Sequence, residues 1–388
     1  MSIGTKLPSC GPRLRFNAIV RAGIVINGRF LTQRTTGVQR YAREMVHALD
    51  ELDIPDVALE LICPPGAERL PGLRHIRQSF SGVGGGQAWE QLQLPWLAAG
   101  RPLLCLCNLA PLVGRNRAVV IHDAAVFDVP AGYSPLFRAW YRFAQRALVA
   151  SRAQIITVSQ FSRGRLAKAL NVQPEQIEVV GESADHVARI EPDLSLAERL
   201  GLRGRQFILA IGSLHPNKNI ATLEAAMKDP RLATLQLVVV GGQSPSVFRA
   251  GTQGGCASNV HYTGYATDEQ LVGLLQSATL FVFPSRYEGF GLPPLEAMRL
   301  GCPVLVSTAA SIPEVCGRDA AAYFDPEDAM QLASAIADLV SNDAERARLI
   351  AAGHRRVEQM KWPVQAQILL NLVRDRFPAL VPHRPNSA

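Results

Sequence analysis

One stretch near the three-quarter point of the chain limits its fold more than any other: Phe281-Val-Phe-Pro-Ser-Arg-Tyr-Glu-Gly-Phe-Gly-Leu-Pro-Pro-Leu-Glu-Ala-Met-Arg-Leu-Gly301. Residues 279–283 form a short apolar, β-rich run that reads as a buried parallel strand. Pro284 breaks the ladder, and Gly289, Gly291, Pro293 and Pro294 make the next ten residues a tight loop. Pro294 suits the first helical position, with Glu296 in the first turn and Gly301 at the C-terminal stop. Strand, glycine loop and helix start in this order aim backbone N–H groups and a positive dipole end at an anion, most often a phosphate.

Glu288 and Glu296 bracket that loop. A carboxylate is unfavourable where phosphate binds, so both are better spent on hydroxyls, which donate to carboxylate oxygens. A ligand with a central diphosphate and polyhydroxyl groups on either side satisfies the whole stretch, and a nucleotide sugar is such a ligand. Read alone, Glu288 can equally be a solvated loop charge and Glu296 a complement to the helix dipole.

Glu288-x7-Glu296, with Gly289, Phe290, Gly291, Leu292 and Pro293 between, resembles the E-x7-E signature of the family 4 retaining glycosyltransferases. The resemblance continues through Gly301-Cys-Pro-Val-Leu-Val-Ser307 and Ile312-Pro-Glu-Val315, and upstream through Ile211-Gly-Ser-Leu-His-Pro-Asn-Lys-Asn219. It covers residues 20 to 365 approximately and is specific in the C-terminal half. It implies an α/β protein of the GT-B fold, two Rossmann-like, doubly wound domains facing across a cleft. It also implies donor-binding roles for Gly212, Ser213, Lys218, Gly242 and Tyr265, besides the residues of the signature. Many family members have Arg where this chain has Ser213, which leaves Lys218 and the amides of the 289–292 loop more of the phosphate charge.

Length and composition agree with two domains. A chain of 388 residues that is 48% hydrophobic can fill two cores of ~150–200 residues each. The boundaries read as a flexible leader at 1–17, an N-terminal domain at 18–190, a linker within 181–204 and a C-terminal domain at 205–361. A last helix at 362–377 crosses back, as the resemblance implies. No run of 18 apolar residues is present, and the apolar stretch at 18–26 lacks a cleavage pattern. Seven scattered cysteines, an odd number, suggest reduced thiols in a cytoplasmic protein.

Charge is uneven. Residues 1–190 carry 22 Lys and Arg against 14 Asp and Glu, whereas residues 191–388 carry 18 against 19. A basic half suits an anionic partner such as a lipid diphosphate or the inner face of the cytoplasmic membrane; ordinary solubilising charge explains it equally. Nucleic acid is disfavoured, because aromatics are sparse and no recognition motif occurs. Within 130–148, Phe137, Trp140, Tyr141 and Phe143 interleave with Arg138, Arg142 and Arg146, which suits membrane docking or a helix packed on a sheet.

Further N-terminal features bear on a site. Strand 23–27, a loop with Gly37 and a helix from Val38 repeat the approach geometry, without the G-x-G-x-x-G of a dinucleotide dehydrogenase. Thr36-Gly-Val-Gln-Arg-Tyr41 resembles the first loop of bacterial polysaccharide mannosyl-, fucosyl- and rhamnosyltransferases, so Gly37 is expected at the donor. Arg40 and Tyr41 are expected at an acceptor or on the helix surface. The glycine loop with Gly85 is a weaker acceptor-side candidate. His122 and Asp123 follow the strand 118–121 at its carboxyl end, where open α/β sheets bind ligands. His122 resembles the family's N-domain histidine beside the donor sugar.

These expectations combine into a retaining sugar transfer from a GDP- or UDP-sugar, best GDP-mannose, to a saccharide or lipid-linked saccharide in exopolysaccharide or O-antigen assembly. His122, Glu288 and Lys218 are the catalytic candidates. No Asp-x-Asp pair occurs, so no metal or other cofactor is expected. The rival readings are a UDP-sugar 2-epimerase of the same fold, which needs no acceptor, and a non-catalytic nucleotide-sugar-binding subunit.

Overall fold

The computed structural model describes residues 23–52, 54, 57–212, 215–241 and 259–380. The expectations placed on residues 1–17 and on Ser213 and Gly242 lie outside the described residues.

Two sheets organise the chain. The first holds β1 (Gly23–Asn27), β2 (Ala58–Cys63), β3 (Arg77–Phe80), β4 (Leu103–Cys105), β5 (Arg117–Val120), β6 (Gln154–Thr157) and β7 (Ile177–Val179). The second holds β8 (Phe207–Ile211), β9 (Gln236–Val240), β10 (Val260–Gly264), β11 (Leu280–Phe283), β12 (Val304–Ser307) and β13 (Ala322–Phe324). Their orders are β3-β2-β1-β4-β5-β6-β7 and β10-β9-β8-β11-β12-β13, with the named strands paired in parallel. Each order reverses direction once, between β1 and β4 and between β8 and β11. That makes both domains doubly wound and puts a crevice at the carboxyl ends of the strands.

The strand residues explain the sheets. β1, β5, β11 and β12 are buried along their whole length, as strands covered by helices on both faces must be. Phe281 and Phe283 are wholly enclosed, each contributing about 2–3 kcal/mol of apolar burial. β3 was not foreseen. Arg77-Gln-Ser-Phe80 has no apolar run, and as an edge strand it needs none.

The helix after the glycine loop spans Leu292–Arg299, so it begins two residues before Pro294. Leu292 is the first helical residue, and Pro293 and Pro294 fill the next two positions. Both lack an N–H, so the anion-binding donors of this helix start reduce to the loop amides and that of Leu292.

The domains meet closely. The helix Trp362–Arg376 packs on the helix Gly37–Glu51 of the first domain, and Gln365 accepts the Gly181 N–H at 2.8 Å. Glu314 of the second domain accepts the Gln160 and Phe161 N–H groups at 2.8 and 3.0 Å, which caps the helix Gln160–Leu170. The segment 181–204, expected as a plain linker, carries the 3-10 turn Asp185–Arg189 and the short helix Ser195–Arg199. Asp185 there accepts the Trp362 N–H, and Arg189 pairs with Glu44 and Glu51.

The helix Pro135–Ala150 packs on its domain through Ala144, Gln145 and Leu148. Its arginines act locally: Arg142 donates to the Val126 and Phe127 carbonyls, and Arg138 to that of Pro130. Leu136 and Phe143 face solvent. Among the described residues no helix is long and apolar enough to cross a membrane.

Candidate active site

A cavity of about 480 Å³ opens between the carboxyl ends of the two sheets. Gly37 and Arg40 reach it from the segment after β1, and His122 and Asp123 from the end of β5. Gly212 and Lys218 come from the loop after β8, and Tyr265 from the turn after β10. Glu288, Gly289, Phe290, Gly291, Leu292 and Glu296 come from the loop and helix after β11. The structure thus gathers at one place residues as far apart in the chain as Gly37 and Glu296.

Two expected acceptor-side residues lie elsewhere. Tyr41 is wholly enclosed, its ring centroid 4.8 Å from that of His122 and 5.7 Å from that of Trp362, both in edge-on packing, so it backs the histidine and does not line the cavity. Burial raises its phenol pKa. Gly85 is exposed at the start of the helix Gly86–Leu92, away from the cavity.

The glycine loop is built to present amides. Gly291 has φ 101°, a backbone that a side chain strains, and it leads directly into the helix. Ser311 donates to the carbonyls of Glu288 and Phe290 at 3.0 and 2.8 Å. A trans peptide holds N–H opposite C=O, so pinning these carbonyls orients the Gly289 and Gly291 N–H groups away from Ser311. Among the described residues neither N–H has a protein partner. Such amides are ready donors for an anion.

Charged side chains lie around this loop in pairs. Lys218 Nζ is 2.7 Å from Glu288 Oε1, which joins the loops after β8 and β11. A Cβ at Gly212 would come within 3.2 Å of Lys218 Cβ, so the small residue leaves the lysine its path. Arg40 lies 2.5 Å from Asp268 across the cleft. Burial opposes the Arg40 charge, but Asp268 outweighs it and the guanidinium pKa is raised. At the rim, the Arg34 guanidinium carbon sits 3.3 Å over the ring of Tyr265.

Sequence reasoning missed two enclosed groups. His186 Nε2 is 3.0 Å from Glu296 Oε1, so the second carboxylate of the signature is held by the interdomain turn. Glu182 lies 3.6 Å from His122 Nδ1, an ion-pair distance longer than a hydrogen bond. Both fall in the segment 181–204 that composition marks as linker. Glu182 follows β7 by three residues, so the strand-end rule that singled out His122 after β5 would have found it too.

His122 is fixed by its own domain. Its Nε2–H donates to the Leu106 carbonyl at 2.9 Å, since a carbonyl only accepts, and this turns Nδ1 toward Glu182. Burial raises the carboxyl pKa of both Glu182 and Asp123, against the pull of His122 on the first and of the Ala125 N–H on the second.

Comparison with known proteins agrees with this geometry. Residues 196–356 match the family described as Glycosyl transferases group 1. The chain is 32% identical over 260 residues to O-antigen chain mannosyltransferase B of Escherichia coli, covering 64% of this chain and 67% of that one. It is 32% identical over 275 residues to the MMP alpha-(1->4)-mannosyltransferase of Mycolicibacterium hassiacum, covering 68% and 65%. Its fold is similar to that of sucrose-phosphate synthase from Thermosynechococcus elongatus, with a TM-score of 0.70 at 20% identity over 92% of this chain and 100% of the other. The chain therefore belongs to the group 1 glycosyltransferases, enzymes of the family 4 type with the GT-B fold.

Proposed function

We propose that this enzyme transfers mannose, with retention, from GDP-mannose to a saccharide acceptor carried on a lipid diphosphate, in polysaccharide or O-antigen synthesis. The observation that carries the reading is the convergence of Glu288, Lys218, Glu296 and the loop amides on one interdomain cavity. Identity to two proteins named as mannosyltransferases supports the sugar.

In this reading the diphosphate lies against Lys218 and the amides of 289–291. Glu296, steadied by His186, accepts from the ribose hydroxyls, and Glu288 accepts from the sugar hydroxyls. His122 has both nitrogens turned to its own domain, so it forms the wall of the sugar pocket and transfers no proton. The acceptor hydroxyl attacks the anomeric carbon from the leaving-group side. The C–O bond to the phosphate breaks, the C–O bond to the acceptor forms, and the acceptor proton passes to the departing phosphate oxygen. Lys218 and the preset amides stabilise the charge developing there, with no metal required. Closure around the donor excludes water, which favours transfer over hydrolysis.

The lipid would bring the acceptor to a membrane, and exposed Leu136, Phe143 and Trp96 on the first domain support contact there. The test is a transfer assay with GDP-mannose, UDP-glucose and ADP-glucose, with and without chelator, on lipid-linked acceptor in detergent and in anionic vesicles. The expected result is acceptor-dependent consumption of GDP-mannose alone, an α-linked product, indifference to chelator and a higher rate on vesicles. Conversion of donor without acceptor contradicts the reaction, and loss of turnover with chelator contradicts the metal-free mechanism. Equal rates in detergent and vesicles remove the membrane contact.

A further inference from the structure

We infer that Ser159 and Ser162 are positioning residues for phosphate binding, which from the first domain fix the peptide carrying the Phe290 N–H of the second. The inference rests on the donor-site reading above.

Ser159 Oγ lies 2.5 Å from the Gly289 carbonyl oxygen and Ser162 Oγ 2.9 Å from it. Both serines are nearly or wholly enclosed, so no water competes for the carbonyl. The peptide between Gly289 and Phe290 is planar, and holding its C=O toward the first domain turns the Phe290 N–H the opposite way. That N–H has no protein partner among the described residues, and Phe290 lines the cavity. Gly289 has no side chain to resist rotation of this peptide, so its orientation depends on what grips the carbonyl.

Helix capping accounts for only part of these contacts. Ser159 Oγ accepts the Ser162 N–H at 3.0 Å and so caps the helix Gln160–Leu170, which uses a lone pair. Its hydroxyl proton is left over and goes to Gly289. The Ser162 hydroxyl takes no part in the cap; it lies between the carbonyls of Gly289 and, at 3.0 Å, His122. Because the serines and the loop belong to different domains, the third amide of the phosphate cradle is in place only when the cleft is closed. Donor binding and closure thereby favour one another.

The experiment compares diphosphate with nucleoside. GDP, guanosine, UDP and uridine are titrated calorimetrically into wild type, Ser162→Ala, the Ser159→Ala/Ser162→Ala double variant and Ser159→Thr. The double variant is expected to bind the preferred diphosphate about tenfold more weakly, the scale of one charge-assisted hydrogen bond, and its nucleoside within about twofold. Ser159→Thr, which keeps both the cap and the proton, is expected to restore the wild-type ratio of the two affinities. Equal weakening of diphosphate and nucleoside, or no weakening, overturns the inference. If the double variant does not fold, Ser162→Ala decides alone, since it removes no cap. Absence of diphosphate binding by wild type overturns the donor-site reading itself, whereas wild-type binding with an unchanged ratio in the variants overturns only the role of the serines.

Discussion

Replacing Gly289 by alanine is expected to lower transfer about a hundredfold, through a displacement of the loop of well under 1 Å. A Cβ built there lies 2.4 Å from the His122 carbonyl oxygen and 3.0 Å from Asp123 Cβ. The first obstacle is backbone of the other domain, which cannot rotate aside. The two domains must part by several tenths of an ångström, and the carbonyl of residue 289 leaves its serine partners. Overpacking of this kind also costs about 1–3 kcal/mol of stability. Gly164→Ala is the control. Its Cβ meets nothing within 4 Å, it lies on an exposed helical face, and alanine there favours the helix by roughly 0.5–1 kcal/mol. Transfer assays and thermal melts of the two variants separate the contact from a general effect of adding a methyl group. Full activity in Gly289→Ala would show that the close approach at His122 has no part in turnover.

Glu288→Gln is expected to reduce turnover by roughly two orders of magnitude while leaving donor affinity within a few-fold. The amide keeps the shape of the side chain but gives up the charge that faces Lys218 at 2.7 Å. In the proposed mechanism that charge does two things: it draws the sugar hydroxyls into register and holds the ammonium beside the departing phosphate. Both matter most when the glycosidic bond is stretched, so the loss should fall on kcat more than on KM. Transfer within a few-fold of wild type would remove Glu288 from the catalytic set.

What the sequence revealed, and what it hid, follows from the range of the interactions. Glu288, Glu296 and the glycine loop lie within one strand–loop–helix unit, where proline and glycine chemistry dictates the path locally. His122 is legible because it follows a strand at its carboxyl end, and Lys218 because residues 211–219 resemble the family's second phosphate loop. The partners of these residues were not legible, since Lys218 meets Glu288 across 70 positions and His186 meets Glu296 across 110. Composition misled at 181–204, where glycine, proline and charge suggest an exposed linker. Burial of Glu182 and His186 there is a property of the closed cleft and leaves no periodic trace. From the sequence Tyr41 reads as helix surface or acceptor contact, because the helix that covers it begins only at Trp362. The first turn after Gly291 differed for a local reason: Leu292 and Pro293 also accept helical geometry, so Pro294 did not mark the start.

The central claim is that the interdomain cavity is a nucleotide-sugar site closed by Glu296 and the 289–292 amides. It is tested most directly by calorimetric titration of GDP, UDP and ADP, without metal, into wild type and Glu296→Ala. The account predicts that one nucleotide, GDP, binds selectively, and that the substitution weakens it about tenfold or more by removing the ribose acceptor. Binding of none of the three by wild type, or equal binding by the variant, would contradict it.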